Sequence, residues 1–167
     1  YVFGIASSQE RIFVSINFHL PIKSNINNLI KKRITLLVSA KISDISESVF
    51  DKRHTIDWYT NFIDQKKSYS FLNYFNNSLY AADYLGNIDV FDVNENNSQI
   101  LSKKNSYNLL KNNLHYPNYF YPYLHMNCVS IDEKNIYCGL HAYSKITNFR
   151  SSLYKINKDT NAISLEK

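Results

Sequence analysis

Glycine, proline and cysteine are scarce in this chain of 167 residues, which contains three Gly, three Pro and two Cys. Three isolated glycines, Gly4, Gly86 and Gly139, cannot form a Gly-rich phosphate loop, and no Gly-flanked serine nucleophile is present. The two cysteines lack a second Cys or His pair at finger-like spacing, so we expect no metal site. No run approaches the roughly 18 apolar residues that cross a bilayer, so we expect no membrane span in this segment.

The basic balance of the chain, a formal charge of +5, comes from Lys rather than Arg. There are 15 Lys and 4 Arg, together with 22 Asn and 18 Ile. Lys, Asn, Ile and Tyr are residues that adenine- and thymine-rich codons specify, so a mutational bias explains the charge without an anionic partner. Nucleic-acid surfaces cluster their charge and favour Arg, and only Lys31, Lys32 and Arg33 cluster tightly here. We therefore expect no nucleic-acid binding.

Large rings are abundant, with 14 Tyr and 10 Phe, and this composition favours packed β structure over disorder. The segment Ser70–Lys103 predicts four short strands separated by Asn-, Gly- and Ser-containing turns. The predicted strands are Ser70–Phe75, Leu79–Tyr84, Asn87–Val93 and Gln99–Lys103.

The same four-strand pattern recurs on either side of this segment. Leu79-Tyr80 aligns with Ile136-Tyr137 downstream and with Ile12-Phe13 upstream. We therefore predict a single β-repeat domain or domain segment, 1–167, with units at approximately 1–66, 67–105 and 126–167. The connection 106–125 contains Ser106–Leu114, which is expected to be either a short helix or a loop.

These repeats predict an all-β fold with about three four-stranded antiparallel units, arranged as a partial β-propeller. A β-sandwich or irregular β structure is the alternative. Closed propellers need about four to eight blades, so three units would be completed either by the remaining blades of a longer chain or by a second copy. The start at Tyr1 rather than Met favours a segment of a longer chain.

Two stretches resemble the quinoprotein (PQQ-like) type of propeller repeat. One is LYAADYLGNIDVFDVNENNSQIL, and the other is IYCGLHAY followed by SSLYKINKDTNAISLE. Each has a Leu- or Ile-Tyr strand, and the first also has the Gly turn and the strand ending near Asp. The resemblance implies the propeller fold and does not carry a function with it.

Cys128 and Cys138 fall on the first two predicted strands of the third unit. A hairpin centred on Glu133 would place them opposite each other, within reach of a disulfide, which would indicate an oxidising compartment. The alternative is two small buried thiols, because the equivalent positions of the second unit, Phe71 and Ala81, are core-type residues.

The segment HYPNYFYPYLH, residues 115–125, is the candidate binding site. Tyr provides a large contact area at low entropic cost and Pro stiffens the segment, as in recognition loops. The alternative is a connection packed over the end of a sheet. The candidate residues are His115, Tyr116, Tyr119, Phe120, Tyr121, Tyr123 and His125.

The function that we predict is a non-catalytic interaction or scaffold module that binds a protein partner through loops, with no cofactor. One alternative is part of a propeller enzyme or quinoprotein-like ligand-binding domain, to which Asp83 or Asp89 would contribute. Another is a lumenal sensor domain.

Asn76-Asn77-Ser78 and Asn96-Asn97-Ser98 match the glycosylation pattern and favour a secreted or lumenal location. The Asn/Asp spacings at Asp92–Asn96 and Asn157–Asn161 are interpreted as turns rather than calcium loops.

Overall fold

The computed structural model describes residues 2–22, 30–50, 56–64, 67–96, 100–109, 124–142 and 150–166. Within these ranges the protein is all-β, with one helix, and its strands form three four-stranded antiparallel sheets. The prediction of three four-stranded units is therefore confirmed.

Each sheet is a meander in which every strand pairs with the next strand of the chain. Sheet 1 contains β1 (Val2–Ser7), β2 (Arg11–Ile22), β3 (Ile30–Lys41) and β4 (Tyr59–Asp64). Sheet 2 contains β5 (Tyr69–Phe75), β6 (Ser78–Asp83), β7 (Asn87–Val93) and β8 (Leu101–Asn108). Sheet 3 contains β9 (Leu124–Ile131), β10 (Asn135–Ala142), β11 (Arg150–Asn157) and β12 (Ile163–Leu165).

Two sequence predictions differ from the structure. The last strand of sheet 2 extends to Asn108, so the second unit extends beyond residue 105 and a helix cannot begin at Ser106. A helix that the sequence patterns did not predict, α1 (Ile42–Phe50), directly follows β3. The sequence did not indicate this helix because its Ile and Val residues favour strands when tertiary contacts are ignored.

Sheet 2 lies between the other two sheets, and its side chains alternate between two apolar clusters. Leu79 and Ala81 pack with Phe13 and Leu37 of sheet 1. Tyr80 and Ala82 project to the opposite face and pack in the cluster that holds Ile136, Tyr154 and Ile156 of sheet 3. All six residues of β6 are consequently buried, because both faces of this strand are covered.

The first strands of the three sheets are neighbours. Strand β5 contacts β1 and β2 on one side and β9 on the other. Gly4 allows β1 to approach closely, since a Cβ atom there would lie 3.0 Å from the Leu72 amide nitrogen and 2.9 Å from its Cγ. A Cβ atom this close to the backbone of β5 would force the two strands to shift, so a glycine suits this position.

Candidate functional site

Buried polar side chains of sheet 1 hold residues 67–69, where the chain enters sheet 2 and β5 begins. We name this segment the linker. The Thr35 hydroxyl donates to the carbonyl oxygen of Lys67 at 2.7 Å. Ser15 and Asn17 donate to the carbonyl oxygen of Tyr69 at 2.6 and 3.2 Å. All three side chains are buried, so these hydrogen bonds form away from competing water and fix the position of the linker.

Asp89, on β7, is a fully buried carboxylate that pairs with Lys67 of this linker. Lys67 Nζ lies 2.7 Å from each of its oxygens, and Lys103 Nζ lies 3.1 Å from Oδ1. The hydroxyls of Ser106 and Tyr69 also donate to it. Burial alone would raise the pKa of Asp89, but the hydrogen bonds from Lys67, Ser106 and Tyr69 together lower it. Asp89 is therefore held as an anion.

Asp83 has a different environment, at the tight turn between β6 and β7. Its carboxylate accepts hydrogen bonds from the backbone amides of Leu85 and Asn87, both at 2.9 Å, and from the Asn87 side chain at 2.7 Å. Burial raises its pKa despite these donors. Both Asp83 and Asp89 are thus engaged by neighbouring groups, and their contacts fit structural roles.

A cleft of about 380 Å³ opens among three turns at one end of sheets 1 and 2. We name it the turn cleft. The β1–β2 turn contributes Gln9 and Glu10, the β5–β6 turn contributes Asn76 and Asn77, and Glu95 follows β7; Tyr74 completes the lining. Asn76 and Asn77 have φ values of 45° and 55°, as a two-residue type I′ hairpin turn requires.

Acceptor oxygens dominate the turn cleft. Among the side chains that the structure describes, Glu95 has a buried carboxylate oxygen, Oε2, without a hydrogen-bond partner. The Tyr74 hydroxyl donates to Asn77 Oδ1 at 3.0 Å, so this donor is already used. Burial raises the pKa of Tyr74, and the charges of Glu95 and Glu10 raise it further. The cleft is therefore electronegative and suited to a ligand that donates hydrogen bonds.

The β9–β10 turn of sheet 3 also lies at this end of the molecule. Asn76 Nδ2 donates to Glu133 Oε2, in the β9–β10 turn, at 2.9 Å. This bond orients the Asn76 side chain and links the equivalent first turns of sheets 2 and 3. The turn cleft consequently combines residues from separate repeats, and no local sequence pattern marks it.

The candidate binding segment lies almost entirely outside the described residues. This applies to His115, Tyr116, Tyr119, Phe120, Tyr121 and Tyr123. The backbone of His125 belongs to β9 and pairs with His141, while its side chain is outside the description. Binding by this segment remains a prediction from the sequence.

The structure contains no bridge between the two cysteines, and both thiols are free. The β9–β10 hairpin is centred between Glu133 and Lys134, so Cys138 pairs with Val129 while Cys128 pairs with Gly139. Neighbouring positions of a strand project to opposite faces, which separates the two sulfur atoms. The expectation that the cysteines face each other is wrong; Cys138 is buried, as the alternative predicted, and Cys128 is exposed.

The turn interpretation of the Asn/Asp spacings is confirmed. Asn94 Oδ1 accepts a hydrogen bond from the Asn96 amide at 3.2 Å, and Asn157 Oδ1 accepts from the amides of Asp159 and Thr160 at 3.0 and 2.9 Å. These side chains therefore close turns. In the described part of the chain, no group of three or more His, Cys, Asp or Glu is placed to hold a metal ion.

No helix within the described ranges is both long and apolar enough to cross a membrane. No protein-family model matches this chain, and no curated protein matches it.

Proposed function

We propose that this chain is a non-catalytic interaction module that binds a protein partner by receiving a Lys or Arg side chain in the turn cleft. The observation that carries the proposal is the buried, unpartnered Glu95 Oε2 beside a second carboxylate, Glu10. A buried acceptor without a donor is costly, and a ligand ammonium or guanidinium group would satisfy it.

The scaffold in this proposal is a run of consecutive propeller blades of the quinoprotein-like type. Its support is the meander order of each sheet, the adjacency of β1, β5 and β9, and the burial of sheet 2 on both faces. Blades stacked in this way expose their turns at the ends of the sheets, where loops and turns bind partners in many folds.

The carboxamide groups of Gln9, Asn76 and Asn77 provide further acceptors around the two carboxylates. A Lys ammonium donates three hydrogen bonds and an Arg guanidinium donates five, so both can use several acceptors at once. The propeller-enzyme alternative gains no support from Asp83 and Asp89, since both are occupied by internal contacts. No observation in the described residues favours a lumenal sensor.

Peptide titration tests the proposal. The probes are blocked pentapeptides with one central Lys or Arg between glycines, and the reference peptide has norleucine, which keeps the aliphatic chain and removes the charge. The side-chain amide signals of Gln9, Asn76 and Asn77 in NMR spectra report occupancy of the cleft. We expect the charged peptides to bind at least about tenfold more tightly than the norleucine peptide, because a hydrogen bond to a charged group contributes about 1.5–3 kcal/mol.

Glu95→Gln keeps the shape of the side chain and removes its charge, so this variant should lose the preference for Lys and Arg. Glu166→Gln, at an exposed position after β12, is the matched control and should bind like the wild type. An unchanged preference in Glu95→Gln would refute the proposal. Loss of peptide binding in a combined Tyr119, Tyr121 and Tyr123→Ser variant, with Glu95→Gln unaffected, would assign recognition to the 115–125 segment instead.

A further inference from the structure

Two basic side chains lie directly opposite each other at one end of sheet 1. Arg11 begins β2, and its register partner is Lys41, the last residue of β3. Opposed residues of neighbouring antiparallel strands project to the same face of the sheet, with Cβ atoms about 4.5–5.5 Å apart, and like charges in such a pair repel each other. An anion bound near both side chains would remove this repulsion.

Arg11 has no internal anion to balance its charge. Its relative exposure is 6%, and Arg is rarely buried this deeply without a partner. The guanidinium donates one hydrogen bond to the described residues, from Nη1 to the Ser39 hydroxyl at a long 3.4 Å. In the described part of the chain, no carboxylate forms an ion pair with Arg11 or with Lys41. Most of the five guanidinium N–H donors are therefore available to a ligand.

The acidic residues nearest in sequence to the two cations are engaged elsewhere. Glu10 lines the turn cleft. Asp44, in the first turn of α1, accepts a hydrogen bond from the Ser43 hydroxyl at 3.1 Å. Neither carboxylate neutralises the Arg11 and Lys41 pair through a direct contact.

Ser39, on β3, adds a neutral donor beside the guanidinium. Ser39 is fully buried, and its oxygen accepts hydrogen bonds from Arg11 Nη1 and from Asn61 Nδ2, the latter at 3.0 Å. Both lone pairs are used in this way, so the hydroxyl hydrogen is left to donate. Among the described residues nothing accepts it, and an acceptor oxygen of a ligand would.

A single surface ring covers the guanidinium on one side. Arg11 Cζ lies 5.4 Å from the centre of the Tyr59 ring, and Tyr59 is itself 47% exposed. Lys41 is exposed as well. A ligand can therefore approach from solvent along Lys41, and rotation of the Tyr59 ring opens the guanidinium to it. We name Arg11, Ser39, Lys41 and Tyr59 the basic site.

We propose that the basic site binds a phosphoryl group, either of inorganic phosphate or of a phosphorylated side chain. A phosphoryl group has three free oxygens and a charge of about −1.5 to −2 at pH 7, which matches three donor groups and two positive charges. The Arg11 fork can bind two of these oxygens in parallel, while Lys41 acts as a point charge. A carboxylate has two oxygens and one charge, so it would leave one cation unbalanced.

Isothermal titration calorimetry at constant ionic strength tests the proposal. We expect inorganic phosphate to bind at least about tenfold more tightly than acetate, since one additional hydrogen bond between charged groups is worth that much. Trp58, the single Trp of the chain, directly precedes Tyr59, so its fluorescence should change on binding. A blocked pentapeptide with phosphoserine between glycines, compared with its glutamate counterpart, identifies the source. A preference for phosphoserine assigns the site to a phosphorylated side chain, and binding of inorganic phosphate alone assigns it to the free ion.

Lys41→Met should weaken phosphate binding about tenfold or more. Because Lys41 is exposed, this variant should stay folded, which circular dichroism checks. Arg11→Met keeps the aliphatic chain and should abolish binding. Lys155→Met, on β11 of sheet 3, removes the same charge elsewhere and is the matched control.

Equal affinities of the wild type for phosphate and acetate would overturn the proposal, and so would equal losses in Lys41→Met and Lys155→Met. Lys41→Met decides the matter even if Arg11→Met is unfolded. The probes contain no Lys or Arg, so none of these outcomes depends on the turn cleft.

Discussion

The two interfaces of sheet 2 are built differently. Toward sheet 1, apolar packing of Phe13, Leu79 and Phe91 is accompanied by a buried polar network centred on Asp89 and the linker carbonyls. Toward sheet 3, the buried cluster is formed by aliphatic and aromatic side chains, a methionine and a thiol.

The two interfaces therefore fix their geometry in different ways. Hydrogen bonds are directional, so the network around Asp89 permits one position of the linker relative to sheets 1 and 2. Apolar packing is non-directional and depends on buried area and fit. We therefore expect the sheet 1–sheet 2 interface to fail abruptly when one charge is removed, and the sheet 2–sheet 3 interface to weaken in proportion to the volume that is lost.

The largest effect is expected for Asp89→Asn. This change leaves Lys67 and Lys103 together without their carboxylate, and removing one partner of a buried pair typically costs about 3 to 5 kcal/mol. The two lysine side chains are 24% and 40% exposed, so solvent screens them and the expected loss of unfolding free energy is near the lower value, about 3 kcal/mol. Urea denaturation of the variant and the wild type measures it.

Asp92→Asn is the matched control, because Asp92 lies on the same strand and pairs with Lys104 at 2.9 Å on the surface. Its effect should stay below about 1 kcal/mol. Equal losses for the two variants would contradict a special role for the buried network.

The contribution of Asp89 to the free energy of unfolding should depend on pH. The pKa of Asp89 is lowered in the folded protein, so its contribution is complete above the unfolded value of about 3.9 and is lost as the pH falls through the lower folded value. The stability difference between wild type and Asp89→Asn should be constant near neutral pH and shrink below about pH 4. The pKa of Asp83 is raised in the folded protein, so its contribution to stability falls as the pH rises. This contribution is present in both the wild type and Asp89→Asn and cancels in their difference.

A smaller, graded effect is expected in the sheet 2–sheet 3 interface. Ile136 is fully buried in its cluster, and Ile136→Val removes one methyl group at a cost of about 1 kcal/mol. Ile163→Val makes the same change at the partly buried margin of this cluster and should cost less. If Ile163→Val costs as much as Ile136→Val, burial does not determine stability at this interface.

Much of the fold follows from local sequence patterns. The strands of sheet 2 lie within one residue of their predicted starts and ends from Ser70 to Val93, because the Asn76-Asn77 and Leu85-Gly86 turns have residues suited to chain reversal. The sequence did not predict the end of β8, residues 104–108, because most of these residues are polar. One of them, Ser106, donates to Asp89 on the neighbouring strand, a contact that no local pattern shows.

The candidate sites were less accessible to sequence reasoning. Glu10 and Glu95 come from different repeats, and only the packing of sheet 1 against sheet 2 brings them to one cleft. One signal was available for the polar network: Ser15, Asn17 and Thr35 alternate with apolar residues on β2 and β3, on the face that also contains Phe13 and Leu37. Polar residues on an otherwise core-facing side indicate buried hydrogen bonds.

Thiol labelling reports whether the sheet 2–sheet 3 interface is closed in the native protein. Burial raises the pKa of the Cys138 thiol to about 12, and the thiolate is the reactive form, so Cys138 should be inert while the sheet 2–sheet 3 interface is closed. Cys128 is exposed and should react with iodoacetamide. Mass spectrometry should find one label on the native protein, at Cys128, and two labels in denaturant. Two labels on the native protein would mean that this apolar interface opens readily, and none in denaturant without reductant would mean that the cysteines are bridged after all.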